Sequence, residues 1–178
     1  MKTDVKFWRY SIPSIDGQGW GIFLLDSTGM FAAVSDYGNY AYFWPLKNTG
    51  YNDFREFFGE ADGYYLMGKV APSRKREYQG DRTEQSIRET ILRMRRDDAL
   101  TEADARMEWE LLSSTDFHYL EGFSIWYQQT NLPDAHEEAV YDYSADELAF
   151  SKILYPRFCE IVAKELEDER LLAMERGA

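Results

Sequence analysis

Residues that could bind a metal or act as acids and bases are concentrated in one stretch of the sequence. His118 and His136 are the only histidines, and Asp134 and Glu137 lie close to the second of them. Imidazole and carboxylate groups are common ligands of Zn²⁺ and of other transition metals. The stretch nevertheless lacks a His-Glu-x-x-His spacing or a pair of cysteines, which would mark a specific metal motif. We therefore expect no bound metal and no cofactor, and a metal-dependent enzyme acting on a nucleic acid or nucleotide is kept as an alternative.

Two other local patterns could suggest catalysis, and both favour a structural role. Cys159 is the single cysteine and stands beside Phe158 and close to Ile161, so a buried thiol is expected rather than a nucleophile. The segment Gly17-Gln18-Gly19-Trp20-Gly21 leads into a predicted strand, whereas a phosphate-binding loop must lead into the N-terminus of a helix. The sequence thus predicts a protein that is not an enzyme.

Aromatic and acidic residues are interleaved between positions 116 and 143. Carboxylates separated by tyrosines and tryptophans can imitate the phosphates and bases of a nucleic acid, and Tyr and Trp are effective anchors in protein interfaces. The alternative is an ordinary solvated acidic surface that covers an aromatic core. The candidate partner-binding residues are Asp116, Glu121, Trp126, Tyr127, Asp134, Glu137, Glu138 and Asp142.

Charge is distributed unevenly along the chain. The net charge is −12, yet positions 69–96 carry nine basic and four acidic residues. A run of basic side chains could contact the phosphates of a nucleic acid, and binding of nucleic acid through this segment is a second alternative. The acidic balance of the whole chain opposes it, and a basic helix is commonly paired with carboxylates of its own fold. The candidate nucleic-acid-binding residues are Arg74, Lys75, Arg76, Arg93, Arg95 and Arg96.

The elements that position these residues begin with a β-meander. Positions 20–44 predict three strands joined by two turns, because Gly29 and Gly38 fall where tight turns need a residue with positive φ. A further strand over 5–12 precedes them, which makes about four antiparallel strands. Apolar residues fall on both faces of this sheet, so both faces need cover. Helices can supply one cover, and either the aromatic residues themselves or a partner surface can supply the other.

The rest of the chain shows helical spacing. Thr101 and Ser144 each begin a capping sequence, and Pro156 should kink or divide the last helix. A short helix is expected near 135–141. The composition of positions 71–80 predicts an exposed loop. The predicted fold is α+β: an N-terminal antiparallel meander (1–46) packed against a C-terminal group of helices (51–178), forming a single domain over 1–178.

Several phrases of the sequence resemble a known group of proteins. They are a Trp-rich strand with a Gly-terminated turn, VSDYGNYAYFW, DFREFF, a tyrosine pair and an arginine-ended helix followed by L-T-x-x-x-A. Together they resemble a family of small uncharacterised bacteriophage and prophage proteins. The resemblance covers roughly 20–112 and extends more weakly to FSIWYQQTNLPDA. It implies a phage or mobile-element setting, in which small accessory proteins often bind a host or defence protein. Together with the charge distribution, it predicts a non-enzymatic accessory protein that binds such a protein through its acidic C-terminal half, as an acidic mimic or an inhibitor.

The setting of such a protein follows from the same patterns. Charges interrupt the N-terminal segment, and no later segment approaches about 20 uninterrupted apolar residues, so we expect no membrane partner and a cytoplasmic location in the host cell. A basic and an acidic region in one chain permit a homo-oligomer. The main expected partner is a protein of the host.

Overall fold

The N-terminal part of the chain forms a four-stranded antiparallel meander. The computed structural model describes residues 4–48, 50–72 and 75–177. The strands lie in the order of the sequence: β1 (Phe7–Ile12), β2 (Gly21–Asp26), β3 (Met30–Ser35) and β4 (Gly38–Phe43). The predicted meander is confirmed, and the first strand begins two residues later than the expected position 5.

The sheet has one buried and one exposed face. One row of paired residues crosses all four strands and is buried: Tyr10, Phe23, Ala33 and Tyr40. The neighbouring residues on each strand point to the opposite face, because side chains alternate along a strand. The inner face is the centre of an aromatic core, in which Phe23 stacks on Phe158 with ring centroids 4.3 Å apart.

The turn between β2 and β3 depends on Gly29. Its φ is +112°, a conformation that L-residues rarely adopt, and a Cβ atom there would lie 1.6 Å from the carbonyl oxygen of Trp44. Asp26 Oδ1 accepts hydrogen bonds from the backbone N–H groups of Thr28, Gly29 and Met30 at 2.8–3.0 Å. A glycine and an aspartate therefore fix this hairpin together.

Helices make up most of the remaining chain. They are a 3₁₀ turn (Leu46–Asn48), a 3₁₀ helix (Phe54–Gly59), α1 (Gly63–Val70), α2 (Gly80–Arg96), α3 (Glu102–Ser114), α4 (Leu120–Gln129), a 3₁₀ turn (Ala135–Glu138), α5 (Ala145–Ala149), a π-helical segment (Phe150–Leu154) and α6 (Tyr155–Gly177). The predicted caps at Thr101 and Ser144 are present, and the latter is a complete capping box with Glu147. Pro156 lies in the first turn of α6, just after the π-helical segment. The fold is α+β, as predicted.

The predictions for two short segments, 135–141 and 71–80, are wrong. The expected helix near 135–141 is a single 3₁₀ turn followed by strand β6 (Tyr141–Asp142). Its partner β5 (Glu77–Tyr78) lies inside the stretch that was expected to be a loop. A two-residue ribbon depends on pairing between segments about 60 positions apart, so local periodicity cannot indicate it.

The chain divides into two compact units. The sheet unit comprises Met1–Arg74 and Tyr143–Ala178, and the helical unit comprises Lys75–Asp142. Each has a core of its own: the first surrounds Phe23 and Phe158, and the second surrounds Ile87 and Trp126. The single domain over 1–178 stays a prediction.

Candidate protein-interaction surfaces

A groove in the helical unit contains two of the acidic residues that the sequence indicates. We call it the α3–α4 groove, because the C-terminal end of α3, the following turn and the exposed side of α4 form its walls. Its volume is about 550 Å³. The lining residues are Leu111, Ser114, Thr115, Asp116, Tyr119, Glu121, Gly122, Ile125 and Gln129.

The turn between the two helices brings Asp116 and Glu121 to the same groove. Asp116 Oδ1 accepts a hydrogen bond of 2.9 Å from the backbone N–H of His118, which holds its carboxylate in the turn. Gly122, in the first turn of α4, packs directly on this backbone, and a Cβ atom there would lie 1.6 Å from the carbonyl oxygen of Asp116. Glycine is therefore the residue that allows α4 to start so close to Asp116 and places Glu121 beside it.

The groove combines exposed apolar side chains with carboxylates. Tyr119 is 62% exposed and Ile125 is 55% exposed. Asp116 and Glu121 are exposed as well. Exposed apolar side chains next to carboxylates fit a basic, amphipathic segment of another protein, because apolar burial supplies affinity while charge selects the partner.

The structure separates the other acidic-aromatic candidates into surface and interior residues. Tyr127, Asp134 and Glu137 are exposed. Trp126 is fully buried in the core of the helical unit, where its ring lies 5.6 Å from that of Phe123. It packs the fold and cannot contact a partner while this unit is folded.

Two of the remaining carboxylates are engaged within the helical unit. Asp142 is buried and forms an ion pair with Arg82. Glu138 accepts a hydrogen bond of 2.6 Å from the hydroxyl of Ser86. These two residues therefore hold α2 to the segment that leads into β6, so the surface available to a partner is smaller than the acidic count of the sequence suggests.

The basic candidates lie at opposite ends of α2. Arg74 falls outside the described residues. Lys75 and Arg76 precede the helix and the arginines 93, 95 and 96 end it, about 24 Å away at 1.5 Å per residue. Glu84 and Glu89 lie between the two groups, and Asp98 lies 3.4 Å from Arg95. Arg82 and Arg88 also lie between the two groups, but they pair with Asp142 and Glu84. Carboxylates therefore interrupt the positive charge along α2 in the part of the chain that the structure describes, and the second alternative gains no support from it.

The two histidines and the cysteine lie in three different environments. Among the described residues no group of three or more His, Cys, Asp and Glu side chains is arranged to hold a metal ion. His118 packs edge-on against Tyr119, and His136 is exposed. Burial raises the pKa of the Cys159 thiol to about 11, so it is protonated at neutral pH and is a poor nucleophile.

A second exposed surface is the outer face of the sheet. Five large apolar residues on it are between 44 and 72% exposed: Phe7, Leu24, Met30, Val34 and Phe43. With a strand spacing of about 4.8 Å and a rise of about 3.3 Å per residue, the face measures roughly 400 Å². Two copies pressed together would bury about twice that area, which is less than the roughly 1,200 Å² of a stable dimer.

The sequence pattern indicated the carboxylates of the α3–α4 groove but missed its apolar residues. Phe123 and Trp126 form the buried stripe of α4, and Ile125 lies off that stripe. A large apolar residue outside the core stripe of a helix is the signal that could have located the groove.

Comparison with known proteins identifies a family for the chain. The model of a phage protein family, Phage_phiTE_072, matches residues 3–164. Searches of curated proteins and of solved structures gave no match. Within the described residues, each helix is too short or too polar to cross a lipid bilayer.

Proposed function

We propose that this chain, which belongs to the Phage_phiTE_072 family of phage proteins, is a non-enzymatic accessory protein that binds a basic protein of the host cell. The contact surface is the α3–α4 groove, and the partner is a host or defence protein in the cytoplasm. Binding would inhibit that partner or occupy its nucleic-acid site as an acidic mimic.

The single observation that carries this proposal is the exposure of Tyr119 and Ile125 in a groove that two carboxylates also line. A folded unit gains stability by burying such side chains, so large apolar residues left exposed in a groove favour contact with another molecule. Asp116 and Glu121 favour a partner with positive charge at the matching positions. The helical unit carries eight basic and sixteen acidic residues, which adds a long-range attraction for such a partner.

A charge-reversal experiment tests the proposal. The tagged chain and the double variant Asp116→Lys/Glu121→Lys are used to capture proteins from host lysate at low and high salt. Glu160→Lys/Asp168→Lys is the matched control, because it changes the net charge by the same amount at two exposed carboxylates on α6 in the other unit. We expect a defined host protein to bind the wild type and the control at low salt, and to be lost with the double variant and at high salt.

Two outcomes would contradict the proposal. One is the same set of captured proteins with all three chains, which would indicate non-specific adhesion. The other is a specific partner that the double variant retains, which would place the contact outside the α3–α4 groove. Circular dichroism of each chain checks that the substitutions leave the fold intact.

A further inference from the structure

The sheet unit contains an aromatic pocket that the proposed function does not use. It lies where β4 leads into the 3₁₀ helix and α1, and its volume is about 510 Å³. That volume is within the range of small-ligand sites. The lining residues are Trp44, Pro45, Tyr51, Phe57, Glu60, Ala61, Asp62 and Tyr65.

Four aromatic rings surround this aromatic pocket at steep angles to one another. The ring centroid of Phe57 lies 5.2 Å from that of Trp44, 6.0 Å from that of Tyr65 and 6.1 Å from that of Tyr51. The corresponding angles between ring planes are 44°, 62° and 78°. Trp44 and Phe57 are almost fully buried, so the wall they form is held by the core and exists before any ligand arrives.

Two carboxylates are fixed at the rim of the aromatic pocket by its own residues. Glu60 Oε2 accepts a hydrogen bond of 2.5 Å from the hydroxyl of Tyr51. Asp62 Oδ1 accepts one of 2.7 Å from the backbone N–H of Tyr65 and thereby caps α1. The lining residues that the structure describes include no lysine or arginine, so among them these negative charges have no cationic partner.

The Tyr65 ring already contacts one cation of the chain, a lysine four residues later on α1. Lys69 does not line the aromatic pocket, and its Nζ lies 5.5 Å from the centre of the Tyr65 ring. The face of an aromatic ring carries negative potential, and several faces with a nearby carboxylate make a site for a weakly hydrated cation. A methylated ammonium group suits such a site best, because its charge is spread over methyl groups that also make apolar contacts with the rings.

We propose that the aromatic pocket binds an alkylammonium cation, with the positive charge among Trp44, Tyr51 and Tyr65 and beside Glu60. This site is separate from the α3–α4 groove and goes beyond the proposed function. The same chemical group occurs in the choline headgroup and in the methylated lysine side chain of a protein, and the test below separates these two sources.

The test is a titration with choline, followed by the indole N–H resonance of Trp44 in an NMR spectrum. Its neutral isostere 3,3-dimethyl-1-butanol is the control ligand, because it has the same shape without the charge. We expect saturable binding of choline and binding of the isostere that is weaker by about tenfold. A trimethyllysine peptide and phosphatidylcholine vesicles are then compared, and the ligand that binds more tightly identifies the source.

Two neighbouring tyrosines give a matched pair of variants. Tyr65 and Tyr64 are 43% and 44% exposed on α1, but only Tyr65 lines the aromatic pocket. We expect Tyr65→Leu to weaken choline binding by about tenfold and Tyr64→Leu to leave it unchanged. Glu60→Gln should weaken binding several-fold, while its side-chain oxygen can still accept the hydrogen bond from Tyr51.

The proposal would be overturned by any of three results. They are the absence of saturable choline binding, equal binding of the neutral isostere, and equal losses in Tyr65→Leu and Tyr64→Leu. Thermal melts of the variants confirm that each chain is folded. Because the α3–α4 groove is unchanged in these variants, they should still capture a host partner, so failure here is distinguishable from failure of the proposed function.

Discussion

Arg55 and Glu169, 114 positions apart in the sequence, form a two-point ion pair. Arg55 Nη1 and Nη2 donate to Glu169 Oε1 and Oε2 at 2.9 and 2.7 Å. The guanidinium also contacts the carboxylates of Asp53 and Glu165, at 2.7 and 3.2 Å. The side chain of Arg55 is only 2% exposed. One buried arginine therefore joins the 3₁₀ helix of the sheet unit to α6.

Arg55→Lys tests how much this ion pair stabilises the sheet unit. Lysine keeps the charge but loses the planar fork that contacts three carboxylates at once. Because those carboxylates are partly exposed, we expect the free energy of unfolding to fall by about 2 kcal/mol, below the roughly 3–5 kcal/mol for breaking a fully buried pair. Urea denaturation of the wild type and the variant measures this change in the free energy of unfolding. The control is Arg170→Lys, an exposed arginine 3.4 Å from Glu56, which should cost less than about 0.5 kcal/mol.

Arg55 illustrates a structural role that sequence patterns cannot predict. The phenylalanines 54, 57 and 58 have helical spacing, so the sequence predicts a buried stripe there, and all three are buried. Arg55 lies within the same segment, yet its partners Glu165 and Glu169 are more than 100 positions away. Local periodicity carries no information about such pairs, so an arginine in an apolar segment reads as a surface residue.

The candidate interaction surface shows the same limit in another form. The acidic-aromatic stretch led to Asp116 and Glu121, which share a groove, and also to Trp126, which is in the core. Composition alone cannot separate these cases, because an aromatic side chain serves equally well in a core or an interface. The helical phase of α4 separates them, since Trp126 follows Phe123 by three positions on the buried stripe.

Acid should destabilise the sheet unit through Asp26. Burial alone would raise the pKa of Asp26, but hydrogen bonds from Met30, Thr28 and Gly29 outweigh it and hold the pKa below the ordinary value. A carboxyl whose pKa is lower in the folded state contributes stability above its unfolded pKa of about 3.9, and that stability is lost as the pH falls through the folded value.

Asp26→Asn tests this linkage by urea denaturation at pH 7 and pH 3. We expect the variant to be less stable than the wild type at pH 7 and to lose less stability between the two pH values. Asp168→Asn changes an exposed carboxylate by the same chemistry and should follow the wild-type pH dependence. Parallel pH dependences of the wild type and Asp26→Asn would show that Asp26 makes no such contribution.

Gly29→Ala should destabilise the sheet unit severely. The added methyl group would lie 1.6 Å from the carbonyl oxygen of Trp44, and φ at this position is +112°. The backbone must move to relieve the clash, which would disturb the hydrogen bond of 2.9 Å from Trp44 N–H to the Gly29 oxygen. We expect the free energy of unfolding, measured by thermal or urea denaturation, to fall by more than about 3 kcal/mol. Gly59→Ala is the control, because nothing lies within 4 Å of a Cβ there and its φ is not positive. A similar loss of unfolding free energy in both variants would argue against this account.

Two adjacent aromatic residues on α4 should differ in how much they stabilise the helical unit. Trp126→Phe leaves space in the core of the helical unit and should lower the free energy of unfolding by about 1–3 kcal/mol. Tyr127→Leu changes a side chain that is 48% exposed and should cost less than about 0.5 kcal/mol. Denaturation followed by circular dichroism compares them. Equal losses would mean that Tyr127 packs the helical unit as Trp126 does.

The outer face of the sheet should allow only weak pairing between copies of the chain. Face-to-face contact would bury about 800 Å² in total. The chain carries a net charge of −12, but this face contains few charges that would repel a second copy. We expect sedimentation equilibrium to show a monomer at micromolar concentration and concentration-dependent association well above it. Val34→Lys, on the inner strand β3 of this face, should abolish the association, whereas Ile161→Lys, an exposed apolar position on α6, should leave it unchanged. Association that persists in Val34→Lys would place the contact on another surface, because a lysine in the middle of two pressed apolar sheets would be desolvated without a partner.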